Sequence, residues 1–169
     1  MTSRNRTAFD ERPSDGAGAA APSVHRVLQP PGWPRPKGYA NGLLAEGRVI
    51  VTGGIIGWDT RGTFSKTFLG QARQAFENIR AILGEAGASP EHLVRLTWYV
   101  TDMDAYLADP KGLGAAYRDV FGQNFPAMSV VQVVRLVEAA AKIEIEATAV
   151  LPTGPATSPT YPPPEFPPR

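Results

Sequence analysis

Apolar and polar residues alternate with a period of two over Lys142-Ile143-Glu144-Ile145-Glu146-Ala147-Thr148-Ala149. That pattern predicts a strand with one buried face and one face carrying two carboxylates. Upstream, Pro126 bars a helix and pushes Phe125 into an extended conformation, so Phe125-Pro126-Ala127-Met128-Ser129 leads into a second strand. The run that follows, Val130 to Leu136, is β-branched on both faces, as suits a strand covered on both sides. Val94, Leu96, Trp98 and Val100 alternate with Arg95, Thr97 and Tyr99 and predict a third strand. Leu69, Ala72, Phe76, Ile79 and Leu83 recur at steps of three and four, which predicts an amphipathic helix stopped by Gly87. Asp102 is a candidate cap for a second helical region that Pro110 and Gly112 interrupt. Leu113, Tyr117, Val120 and Phe121 give its packed half, ended by Gly122. Nearer the start, Leu43 to Glu46 and Arg48 to Thr52 read as a hairpin turning at Glu46-Gly47, continued past Gly53-Gly54 by Ile55-Ile56. The order β-β-β-α-β-α-β-β predicts an α+β fold, a mixed sheet with two helices on one face. No third helix remains for the other face, which implies self-association.

Composition trims this picture at both ends. Residues 1–27 lack periodicity and predict a disordered or loosely packed extension. Residues 152–169, which include Pro162-Pro163-Pro164 and Pro167-Pro168, predict a solvated Pro-rich tail. Within these, Met1 to about Pro22 and Thr153 to Arg169 are expected to be dispensable, and one folded domain spans residues 28–151. Within it, Trp33 among prolines is read as docking on its own domain or as an aromatic for a partner. The chain has no cysteine, so disulfides and thiolate chemistry are excluded. A net charge of +1 offers no basic stripe for nucleic acid. No apolar run reaches the ~20 residues of a membrane span, and no apolar segment follows the N-terminal arginines. The expected compartment is the cytoplasm.

Familiar catalytic patterns are absent. His25 and His92 are far apart, so no metal site is expected. Gly53-Gly54 lacks the Gly-Lys-Ser/Thr continuation of a phosphate loop, and no Gly-x-Ser-x-Gly occurs. What remains is the pair Glu144 and Glu146 on one strand face.

The blocks Val51-Thr52-Gly53-Gly54-Ile55, Gln71 to Gly87, Val94 to Asp102, Phe125-Pro126-Ala127 and Lys142 to Ala147, in that order, resemble the Rid family of reactive intermediate deaminases (YjgF-like, RidA-like). The resemblance covers about residues 39–150. It implies a chorismate-mutase-like fold in a homotrimer, ligand clefts between subunits, and hydrolysis of enamines or imines without metal or cofactor. It also assigns roles. Glu144 matches the carboxylate that positions or activates water, and Tyr39 the aromatic that closes the cleft. Thr52 stands where a serine is usual, and Gly53 keeps a family glycine. Met128 stands where deaminating members have an arginine that grips the substrate carboxylate, and Gly114 replaces a cleft asparagine. The chain thus resembles a divergent member lacking that arginine.

A guanidinium forks onto a carboxylate with two charge-assisted bonds, whereas methionine offers only polarizable apolar surface. The expected substrate is therefore non-standard, with an apolar group over Met128. Arg135 is the candidate substitute cation, with Lys142 behind it. Trp58 either lines the cleft or packs an interface. The leading expectation is a cofactor-free small-molecule hydrolase of the enamine or imine deaminase type. A non-catalytic, metabolite-binding or holdase-like trimer is the alternative. Neither involves nucleic acid or a membrane.

Overall fold

A computed structural model describes residues 24–153. The expectations for the rest of both terminal segments lie outside the described residues. The elements run β1 (Arg26–Val27), β2 (Leu43–Leu44), β3 (Arg48–Val51), β4 (Ile55–Ile56), α1 (Phe68–Glu85), a 3₁₀ turn (Pro90–His92), β5 (Leu93–Val100), α2 (Met103–Leu107), α3 (Pro110–Phe121), β6 (Ala127–Gln132) and β7 (Ile143–Leu151). β3, β7, β5 and β6 form one mixed sheet in that order, with β4 also on β7, while β1 and β2 pair separately. β5 and β6 run parallel; β7 runs antiparallel to its neighbours.

Each helix starts where a side chain caps it. Thr67 accepts from the Gly70 N–H, Asp102 from Ala105, and Asp109 from Gly112 with Pro110 at the first helical position. The apolar stripe of α1 is buried as the spacing predicts, with Phe76 at its centre. The Phe76 ring lies 5.3 Å from Trp98, 5.6 Å from Tyr117 and 5.3 Å from Phe121, so one aromatic cluster joins α1, β5 and α3. Leu96, Trp98, Val100, Ile143, Ile145, Ala147 and Ala149 supply the sheet's share of this core.

The strand expectations hold for β5 and β7 and change elsewhere. The predicted hairpin does not form: β2 pairs with β1, and β3 pairs with β7 in the register Arg48↔Leu151 to Val51↔Thr148. Gly47 is no hairpin turn residue. Its φ of 146° lets the backbone pass so close to the Leu151 carbonyl that a Cβ would collide with it. β6 starts at Ala127 and stops at Gln132. It is covered on one face only within the subunit, because Ser129 and Val131 are exposed. They share the open face with Val49 and Val51, 66% and 70% exposed, which matches the expected uncovered sheet surface.

Candidate functional site

β7 sends its two carboxylates to the open face. Glu144 is paired across the sheet with Tyr99 on one side and Ile56 on the other. Its carboxylate lies directly against Gly54, where any Cβ would overlap the carboxylate oxygen. The absent side chain at Gly54 therefore makes the seat for this acid, and a larger residue there would move the Glu144 carboxylate aside.

The break between β3 and β4 sets up that seat. Thr52 donates its hydroxyl to the Gly53 carbonyl at 2.8 Å, and the same oxygen accepts the Ala147 N–H at 2.9 Å. The Thr52 N–H in turn reaches the Ala147 carbonyl at 2.9 Å. The hydroxyl is thus spent on the sheet, and its work is to hold Gly53-Gly54 beside β7. Gly53 itself is exposed, with open space where a side chain would stand. Glu146 accepts a hydrogen bond from the Tyr99 hydroxyl at 3.0 Å. That bond, followed by desolvation and the charges of Glu146 and Glu144, pushes the Tyr99 phenol above its ordinary range. Tyr99 therefore stays a donor at neutral pH.

Met128 belongs to the other face. It pairs with Leu96 and packs half-buried against the core, as does Phe125, whose ring stacks on Tyr117 at 5.4 Å. Within one subunit, Met128 and Glu144 are on opposite sides of the sheet, so no single-chain pocket contains both. Tyr39 is 45% exposed and precedes Ala40, whose N–H bonds the Pro126 carbonyl at 3.0 Å and which bridges to Ala127. Tyr39 therefore stands at the outer edge of β6, level with Pro126 at the strand's entry. Arg135 does not. It lies past Gln132, at the opposite end of β6, and four residues of strand from Met128 to Gln132 already span roughly 13 Å. Trp58 is 40% exposed and fixed from behind, since Asn78 donates to both the Ile56 and Trp58 carbonyls.

Gln71 was not apparent as a site-building residue from sequence. It is buried on α1, donates to the Ser65 and Ala140 carbonyls at 2.9 Å each, and accepts the Lys142 N–H at 2.7 Å. It thereby fixes the entry into β7 two residues before Glu144, and ties Lys142 into the scaffold by its backbone. Its one signal in the sequence is a polar residue inside the buried arc of an amphipathic helix. Gln71→Leu is expected to destabilise the fold by about 1–3 kcal/mol, because three backbone groups together lose the partner that this buried side chain supplies. A denaturant midpoint that stays at the wild-type value counts against this.

Among the described residues, no group of three or more His, Cys, Asp or Glu could hold a metal ion. No described helix is long and apolar enough to cross a membrane.

Residues 34–151 match the sequence profile of the family described as Endoribonuclease L-PSP. A 2-iminobutanoate/2-iminopropanoate deaminase of Escherichia coli is 35% identical over 115 residues, covering 66% of this chain and 86% of that protein. A RutC family protein of Synechocystis is 32% identical over 139 residues, 76% of this chain and 98% of its own length. Among solved structures, a Rid family protein of Yersinia pestis, YyfB, superposes with a TM-score of 0.64 at 27% identity, covering 75% of this chain and 98% of that one. The YjgF gene product of E. coli gives 0.56 at 34% identity, covering 66% and 87%.

Proposed function

The chain belongs to the Rid family, and from that premise we propose that it hydrolyses an enamine or imine to a carbonyl compound and ammonia, without a cofactor, in clefts between subunits of a homotrimer. The observation that carries this reading is the seat of Glu144 against Gly54 on an otherwise uncovered sheet face. There the carboxylate has open backbone at Gly53 beside it and no ion pair to neutralise it among the described residues. The related deaminases act, by name, on 2-iminobutanoate and 2-iminopropanoate.

In the proposed reaction, Glu144 takes a proton from water as the oxygen attacks the imine carbon. It returns that proton to nitrogen to give a neutral carbinolamine, then carries the adduct's hydroxyl proton to nitrogen as the C=O bond forms, the C–N bond breaks and ammonia leaves. An enamine reaches the same imine by protonation at carbon. The opposite placement of Met128 and Glu144 supports a cleft assembled from two copies, one giving the Met128 wall and the other the Glu144 face. Tyr39 and Trp58 are proposed to border it, and the Thr52 hydroxyl to shape it through Gly53. Met128 makes the substrate non-standard by replacing the expected cation with apolar surface. The reaction needs only the protein's own side chains and water, consistent with work inside the cytoplasm.

Assembly and turnover test this together. Sedimentation is expected to give a trimer at micromolar concentration, and imines generated in solution are expected to release ammonia faster with the protein present. A stable monomer removes the intersubunit cleft. A trimer that binds but never turns over an imine favours a metabolite-binding or holdase role instead.

A further inference from the structure

The cation missing at position 128 has a counterpart on the helix above it. α1 lies over β7 and β4, with α3 beside it. The Arg73–Asp119 ion pair at 2.9 Å marks the flank of α3 that faces α1. The Tyr117–Phe125 stack marks the side that faces the entry to β6. At 3.6 residues per turn, Gly114 and Arg118 fall roughly 60° and 100° round the helix from Tyr117, on the flank away from Asp119. That flank is turned away from α1, on the side of the helix where Tyr117 meets Phe125 at the entry to β6 and Ala40 bridges Ala127 at that strand's outer edge.

Gly114 and Arg118 also touch each other. Side chains on a helix lean toward its N-terminus, so a residue at i+4 lies back over residue i. Here the Arg118 guanidinium takes that course: its Nη1 is 3.1 Å from where a Cβ on Gly114 would stand. An asparagine at 114 would contest this space; glycine leaves it open. Arg118 makes no ion pair with any described residue, unlike Arg61 and Arg73. The two departures of the sequence, glycine at 114 and methionine at 128, thus fall on successive elements, α3 and β6, joined through the Tyr117–Phe125 stack. The strand loses a cation, and the helix gains room to hold one.

We propose that Arg118 is the anion-binding group of this cleft, and that the substrate carries its carboxylate set back from the reactive carbon. The second half rests on the deaminase reading above. An arginine rising from the strand would hold a carboxylate directly bonded to the imine carbon. A guanidinium carried on the helix stands farther off, with the Met128 side chain between. A substrate that spans this arrangement has an apolar linker over Met128 and a carboxylate at Arg118, with its imine toward the Glu144 face of the neighbouring copy.

The test uses the full-length protein with two imines generated in solution: 4-iminopentanoate, whose carboxylate is set back, and uncharged 2-iminopentane. Succinate serves as an unreactive probe, titrated by calorimetry. Arg118→Ala is expected to raise KM for 4-iminopentanoate about 10- to 100-fold with kcat retained, and to weaken succinate binding by a similar factor. 2-Iminopentane is expected to be unaffected. Gly114→Asn displaces the guanidinium without removing it and is expected to act in the same direction, with Arg118→Lys intermediate. Unchanged KM and succinate affinity in Arg118→Ala overturns the proposal even if turnover is robust. If the wild type hydrolyses no imine, the deaminase reading fails and succinate decides the rest. Binding lost with Arg118 keeps the anion site, and no binding by the wild type removes it.

Discussion

Glu144→Gln is expected to lower turnover of any enamine or imine substrate about 10²- to 10⁴-fold, the usual worth of a positioned general acid–base. Glutamine keeps the shape that fits against Gly54, and Glu144 makes no ion pair among the described residues, so stability is expected to change little. What the amide lacks is the capacity to accept a proton from attacking water. Gly54→Ala offers an independent route to the same result, since the new methyl occupies the place of the carboxylate and forces it aside. If Glu144→Gln keeps turnover within a factor of about three of the wild type, the proton is handled elsewhere. Tyr99-Glu146 then becomes the next pair to examine.

Met128→Arg is expected to improve kcat/KM for 2-iminopropanoate by roughly 10²-fold, because a forked pair of charge-assisted bonds contributes about 1.5–3 kcal/mol for each bond. The wild type is expected to handle that small imino acid poorly, with little saturation. Met128 is only half-buried, so an arginine stem can follow the methionine's path and keep its head in the cleft. The gain belongs to binding and the Glu144 loss to chemistry, so the double variant is expected to combine them. Efficient wild-type hydrolysis of 2-iminopropanoate at low KM is the outcome that defeats this account of Met128.

Both expectations depend on residues of the kind that sequence reveals well. The alternation along β7 places Ile143, Ile145 and Ala147 in the core and leaves Glu144 and Glu146 outside, as its period of two demands. The three-and-four spacing of α1 likewise predicts its buried stripe. Local pattern carries no information about partners distant in the chain, which is why it predicts a hairpin at Gly47 while β3 instead finds β7. The same limit hides the support of the site. Gln71 reads as an ordinary helix residue until the Ala140–Lys142 segment folds back onto it. Met128 and Glu144 are both visible in the sequence, but their separation by the sheet follows only from register. Gly114 is legible as an absence; what occupies the space depends on the direction in which the Arg118 side chain lies.

The position of β7 has a consequence for biosynthesis. β7, the last strand among the described residues, lies inside the sheet, between β3 and β5. As the protein leaves the ribosome, β3 and β5 emerge with nothing between them, and the Phe76 cluster lacks the wall that Ile143 and Ile145 provide. Until the final segment is released, the nascent chain carries two unpaired strand edges and an unfinished core, the features that invite aggregation or chaperone capture. Folding of this domain is therefore completed after translation has passed Leu151, in one late insertion that seats β7 and Glu144 together.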